Sequence, residues 1–391
     1  MILCNFKSIP PEFLLDQEPT LEWLALAHTR AESLKPEHQG RIGESFQRQM
    51  STLFRRYGCS SDRIQTRRAV LRDFTHTDWD AMELFSFKDR FQGPTMDERV
   101  AFFRKVVEPV CKQMYPETGN PPDHLIHVTC TGYVSPSCAQ ELVARNHWHD
   151  QTVVTHAYHM GCYAALPAIR MAKGFLAGSP AKRWTGAAAP RPVDVLHTEV
   201  CSIHLQTDVH TPEQMVVQSL FADGFIKYSA VQSKSDAGRL GAGLNLEAIH
   251  EVMVPDTLKA ITWDCSEWGM KMGLMREVPQ LIAESLQPFV EELCRRARVS
   301  LKKIQAEGIF AIHPGGPKII NQVQSLFHVS DDQVSVSKAI LKQCGNMSSA
   351  TLPHIWEAIV ANPAIPEKTY VLSLAFGPGL CISGAILRKV S

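Results

Sequence analysis

Residues 157–174, AYHMGCYAALPAIRMAKG, decide how this chain reads. The β-favouring segment VVTHAY at 153–158 runs into Gly161 and Cys162, and an alanine-rich run follows that favours helix, with Pro167 weakening its first turns. Cys162 is therefore expected at a strand-to-helix elbow. There the helix dipole and free backbone N–H groups favour a thiolate. Taken alone, such a cysteine is more often a small packing residue.

Similar units flank the elbow. HLIHVTC at 124–130 alternates like a strand, passes through TGYVSPS, and continues as helix in CAQELVARN. PVDVLHTEVCSIHL reads as a strand, and EQMVVQSLFADGFIKYSAV as helix, turn at Asp223-Gly224 and strand. The spacing of Leu21, Leu24, Leu26, Phe46, Met50, Leu53 and Phe54 predicts helix over much of 19–57, repeated over 97–115. A long amphipathic helical region is expected at 278–306. The last hundred residues then follow the same plan: strand GIFAIHPGG, helix from Lys318, strand-like VSVSKAIL, loop KQCGNMSSA, helix TLPHIWEAIVAN and a terminal hairpin. Two similar α/β halves are expected, 1–230 and 231–391, although direct sequence repetition is weak.

Composition bounds the function. The 391 residues are 45% hydrophobic, enough for a large core, and Lys plus Arg equals Asp plus Glu at 40 each. No global basic field exists to hold nucleic acid or an anionic membrane, so a small molecule or a protein is the expected partner. The start, MILCNFKSIPPEF, lacks the basic and long apolar regions of a secretory signal, and a cytoplasmic protein is expected. Eleven cysteines without a CxxC pair suit reduced thiols. The apolar run TYVLSLAFGPGLCISGAIL is broken by Gly377, Pro378, Gly379 and Gly384 into two strand-length pieces, a buried hairpin and not a membrane span. Neither His147 with His149 nor His197 with Cys201 and His204 supplies four ligands at zinc spacing, so no metal is expected.

Three loops each end an expected strand and carry a reactive side chain beside glycine: MGCYAA with Cys162, HPGGPKI with His313 and CGNMSSA with Asn346. Cysteine, histidine and asparagine together can form an acyl-transfer site: the sulfur takes an acyl group, and two hydrogen-bond donors stabilise an enolate oxygen. In these loops, and in the ordered segments HVTCTGYVSPS, SLFADG, HPGGPKII, GNMSSAT and AFGPGL, the chain resembles the type III polyketide synthases. These are the chalcone-synthase-like members of the thiolase superfamily, and the likeness is greatest to their bacterial-type alkylpyrone and resorcinol branch. The glycines after His313 separate it from fatty-acid initiation ketosynthases, which share the three residue types.

The resemblance implies an α/β, thiolase-like five-layered αβαβα fold with two similar halves, a homodimer, and CoA thioesters used directly, with neither metal nor redox cofactor. It implies that Cys162 carries the starter and growing chain. His313 would keep the sulfur ionised and, with Asn346, bind the malonyl carbonyl during loss of CO2. Phe376, Gly377, Pro378 and Gly379 would shape the cavity where the chain cyclises. The family's two gatekeeper phenylalanines fall at Leu205 and Met272, and Ser135 stands where plant members carry a methionine that reaches into the partner subunit. Aliphatic gatekeepers suit a long acyl starter better than an aromatic one. Arg48, Arg55 and Arg56 are candidates for the CoA phosphates, against the simpler reading of a solvated helix face. The rival functions are a ketosynthase fed by acyl carrier protein, a non-catalytic thiolase-fold partner and a Cys-His hydrolase.

Overall fold

The computed structural model describes residues 1–38, 42–88, 90–116, 120–178, 191–232 and 241–391. Strands are numbered in chain order: β1 (Ile2–Ile9), β2 (Phe13–Asp16), β3 (Thr66–Ala69), β4 (His124–Thr129), β5 (Val153–Tyr158), β6 (Val193–Glu199), β7 (Gly224–Val231), β8 (Gly243–Met253), β9 (Ile261–Ser266), β10 (Gly269–Leu274), β11 (Ile309–Ile312), β12 (Tyr370–Gly377) and β13 (Cys381–Val390). Nine of them join in the order β11-β12-β13-β8-β1-β7-β6-β4-β5.

The two ends of that series repeat one topology. β4 runs parallel to β6, β6 antiparallel to β7, and β7 antiparallel to β1. Likewise β11 runs parallel to β12, β12 antiparallel to β13, and β13 antiparallel to β8. The halves meet where β1 pairs antiparallel with β8, through Ile2, Leu3 and Cys4 opposite Asn245, Leu244 and Gly243. The N-terminal half has one strand more, β5, parallel to β4 at the edge.

Burial explains the layers. β6 and β7 are buried along their whole length, as strands covered on both faces are. Lys227 in β7 is tolerated because it meets Asp194 at 3.6 Å and lies over the Tyr115 ring. Between the two halves lie the helices Ala165–Gly178 and Thr351–Ala361, whose Leu166, Ile169, Leu352, Ile355 and Trp356 pack with strand residues of both halves. Trp356 is fully buried, and its indole N–H donates to Ser373 Oγ at 2.9 Å. Helices Gln17–Ser33, Met96–Met114 and Cys138–Arg145 cover the outer face of one half; Val278–Ala297, Pro317–Phe327 and Asp331–Cys344 cover the other. The result is α, β, α, β, α, the thiolase-like architecture with two similar halves.

Several expectations change in detail. VSVSKAIL is helix and not strand: Ser330 and Gln333 form a capping box, and Val334, Ser337 and Leu341 bury one face at helical spacing. The helical region at 278–306 is two helices, split at Arg298 in a left-handed conformation. Pro167 costs its helix little, because it is the third residue, where no intrahelical N–H is required. The terminal hairpin is present, with Tyr370 opposite Arg388 and Gly377 opposite Cys381.

Candidate active site

Cys162 follows β5 through Gly161, whose φ is +80° and whose N–H donates to Cys130 Sγ at 3.0 Å. A Cβ on Gly161 would lie 2.5 Å from Pro378 Cδ, and one on Gly377 would lie 2.2 Å from the Tyr163 ring. The elbow and the β12–β13 turn therefore interlock through two glycines, and neither position admits a side chain.

His313 leaves β11 with its N–H bonded to Leu374 O at 2.8 Å, and Gly315 and Gly316 carry the chain into the helix at Pro317. Asn346 follows Gly345, φ +73°, and its backbone is clamped to the other half: its N–H donates to Leu220 O and its carbonyl accepts from Ala222 N–H, both at 2.9 Å. The side-chain oxygen of Asn346 accepts from Ser348 N–H at 2.9 Å and from Thr351 Oγ1 at 3.4 Å. That leaves the amide N–H groups as the donating end of the side chain, within reach of Cys162.

These three loops meet on one cavity of about 850 Å³. Cys162, His313, Asn346 and Ser348 lie on it, beside an apolar wall that includes Phe221, Ile261, Trp263, Met272 and Ile282. Phe376, Gly377 and Pro378 line it as well, whereas Gly379 does not. Met272 borders the cavity; Leu205 instead lines a small chamber of about 40 Å³ that shares Cys201, Phe221, Trp263 and Met272 with it. Ser135 is exposed and off this cavity. Arg48 and Arg55 are spent on Glu44 and Glu22 at 3.2 and 2.7 Å, and Arg56 lies over the Tyr57 ring. Among the described residues the Lys and Arg cations on the cavity are Arg63, which also meets Asp62 at 3.0 Å, Arg276 and Lys318. Sequence reading passed over them because nothing in their spacing joins three loops so far apart along the chain.

The electrostatics are dominated by burial. Burial pushes the Cys162 thiol up to about 12, and the nearby Glu199 carboxyl raises it too; its hydrogen bonds with Ser348 Oγ, at 3.8 Å, and with Asn346 oppose the rise. The dipole argument alone thus misjudges the resting thiol, because desolvation outweighs it. Burial likewise pulls His313 down to about 3, and neither ring nitrogen has a hydrogen-bond partner among the described residues. Both nitrogens remain available to a ligand in the cavity.

Behind the sulfur lies a buried carboxyl. Glu199 accepts from Cys130 N–H at 3.1 Å, Thr131 Oγ1 at 2.9 Å and Ser349 Oγ, and burial raises its pKa to about 7. His197, on the other side of Ser349 at 3.0 Å, is held near 3 by burial. His204 spans Thr131 O and Met270 N–H, so these histidines serve as hydrogen-bonding struts.

A cysteine, two potential oxyanion donors and a mostly apolar cavity in a thiolase-like fold fit one class, an acyl-transferring condensing enzyme. Residues 245–391 match the family of chalcone and stilbene synthases, C-terminal domain. A probable polyketide synthase 1 of Dictyostelium discoideum is 29% identical over 277 residues, 68% of this chain but 8% of that far longer protein. The type III polyketide synthase pspB of Penicillium soppii is 25% identical over 334 residues, 78% of this chain and 81% of its own. The crystal structure of the C-terminal type III polyketide synthase domain of Steely1, a hybrid from Dictyostelium, superposes with a TM-score of 0.78 at 22% identity, covering 100% of this chain and 99% of that one. Over most of its length the chain is thus similar to type III polyketide synthases, and residues 245–391 match the chalcone and stilbene synthase C-terminal domain. Among the described residues no helix is long and apolar enough to cross a membrane.

Proposed function

We propose that the chain loads an acyl starter on Cys162, extends it with malonyl-CoA by decarboxylative condensation, and closes the product to an α-pyrone, resorcinol or phloroglucinol-type ring. The observation that carries this reading is the meeting of Cys162, His313 and Asn346, from both halves, on one cavity. In the loading step the Cys162 proton passes to His313 as the sulfur attacks the thioester carbonyl, so that two neutral groups ionise together and no lone charge is left in a buried site. Coenzyme A leaves as its thiol. A malonyl thioester bound next places its carbonyl oxygen against the Asn346 amide and the His313 ring. Those donors take up the negative charge that appears on that oxygen as CO2 departs. The enolate carbon then attacks the acyl-sulfur carbonyl, forming the new carbon–carbon bond and releasing Cys162.

Arg63, Arg276 and Lys318 supply positive charge for the CoA phosphates in this reading. The apolar wall, with Met272 in place of an aromatic gatekeeper, fits a flexible alkyl starter. The free edge of β5, with Val153 58% exposed, offers a strand edge for a homodimer.

Intact-mass and product analysis with malonyl-CoA and acyl-CoA starters from acetyl to palmitoyl, aromatic ones included, tests the proposal. An acyl adduct followed by pyrone or resorcinol products is expected, strongest for long alkyl starters. An adduct that extends only when acyl carrier protein is the donor would replace CoA with that partner, and hydrolysis without extension would sink the condensing reading.

A further inference from the structure

Away from the reaction cavity, two helices of the N-terminal half bring a second pair of thiols together. Cys111 lies in the last turn of the helix Met96–Met114, and Cys138 opens the helix Cys138–Arg145. Their sulfurs are 2.8 Å apart. A disulfide is closed at about 2.05 Å, so bonding asks for less than one ångström of movement. Both side chains are almost wholly buried, yet both line a separate cavity of about 240 Å³ whose other walls are Glu108, Lys112, Glu141, Leu142 and Arg145. His127 completes the group: its Nε2 is 3.6 Å from Cys138 Sγ, and its Nδ1 is 2.8 Å from the Tyr158 hydroxyl.

We propose that Cys111 and Cys138 form an oxidation site that a small hydroperoxide converts to an intramolecular disulfide. Cys138 gives its proton to His127 and attacks the distal peroxide oxygen; the O–O bond breaks, an alcohol or water leaves, and the sulfur becomes a sulfenic acid. Cys111 then attacks that sulfur and expels water, giving the disulfide. Two thiols and one hydroperoxide thus become one disulfide, one alcohol and one water. The cavity admits hydrogen peroxide or a short alkyl hydroperoxide and is too small for a peptide disulfide, so peroxide is the matching oxidant. Cys162 lies on the other cavity and takes no part. The product staples the segment that follows Cys130 and Thr131, both of which line the reaction cavity, to the outer helix layer.

The test treats the full chain with hydrogen peroxide, alkylates the remaining thiols after denaturation, and maps the peptides by mass. The expected result is a linked peptide joining Cys111 to Cys138, two hydrogens lighter than its parts. Alkylation at both positions should fall at least about tenfold, and a dithiol reductant should reverse it. The link should be absent from Cys111→Ser and Cys138→Ala, and present in Cys162→Ala. Full alkylation of Cys111 and Cys138 under conditions that oxidise Cys162, or oxidation of Cys138 to sulfinic acid without a link, would overturn the proposal. The wild-type peptide decides the matter even where a variant fails to fold.

Discussion

The loop that carries Cys162 and the loop that carries Asn346 begin alike and are held differently. Each starts with a glycine at positive φ, Gly161 at +80° and Gly345 at +73°. The first glycine lies against Pro378 of the C-terminal half, and the second against Leu220, Ala222 and Arg67 of the N-terminal half. Each half thus props the reactive loop of the other. The contacts also differ in hardness: an added Cβ would stand 2.5 Å from the Pro378 ring at Gly161, but 3.1 Å from its nearest neighbours at Gly345.

The sharpest way to separate the two loops is chemical. Cys162→Ala is expected to abolish acyl adducts in intact-mass spectra and lower product formation by at least about 10³-fold, since no covalent intermediate can form. A labelled adduct persisting on that variant would place the nucleophile elsewhere. Asn346→Ala should retain the adduct but slow malonyl decarboxylation by roughly 10²-fold, the usual cost of one oxyanion donor. Loss of loading and decarboxylation in equal measure would contradict that division of labour.

Stability gives the next contrast. Gly161→Ala should cost about 3 kcal/mol, from left-handed strain plus displacement of Pro378, and Gly345→Ala nearer 1–2 kcal/mol, where the neighbours have to move only a few tenths of an ångström. Urea unfolding of both variants measures the gap, and equal losses would mean the two loops are held alike.

The smallest effect concerns Glu199. Its folded pKa, about 7, stands above the unfolded carboxyl value, so its contribution is fully present below about pH 4.5 and is lost as pH rises through 7. Glu199→Gln removes that loss and leaves the buried histidines unchanged. Between pH 5 and 8 the wild type should therefore lose more stability than the variant, by roughly 3 kcal/mol at most. Parallel pH profiles would show the carboxyl is not held protonated.

Much of this was legible in the chain. The elbow at Gly161-Cys162, the strand before His313 and the terminal hairpin are local features, written in turn residues and period-two alternation. VSVSKAIL misled because its alternating valines and serines mimic a strand, while the Ser330 and Gln333 cap that makes it helix lies just outside the window. Glu199 gave no signal because its meaning lies in burial among Cys130, Thr131 and Ser349, all three far away in sequence. Arg63, Arg276 and Lys318 were hidden for the same reason, whereas Arg48 and Arg55 look basic in sequence and lie off the cavity, paired with Glu44 and Glu22.

The seam between β1 and β8 bears on how the chain assembles over time. Ile2–Ile9 is synthesised long before its partners, which begin at Gly224 and Gly243, more than two hundred residues later. During translation this apolar segment has no edge to pair with until both neighbours have emerged. Closing so long a loop is slow, and the waiting strand is a target for holding chaperones and for self-association. Expression yield, more than activity of the finished protein, is where changes to Ile2–Ile9 should be felt.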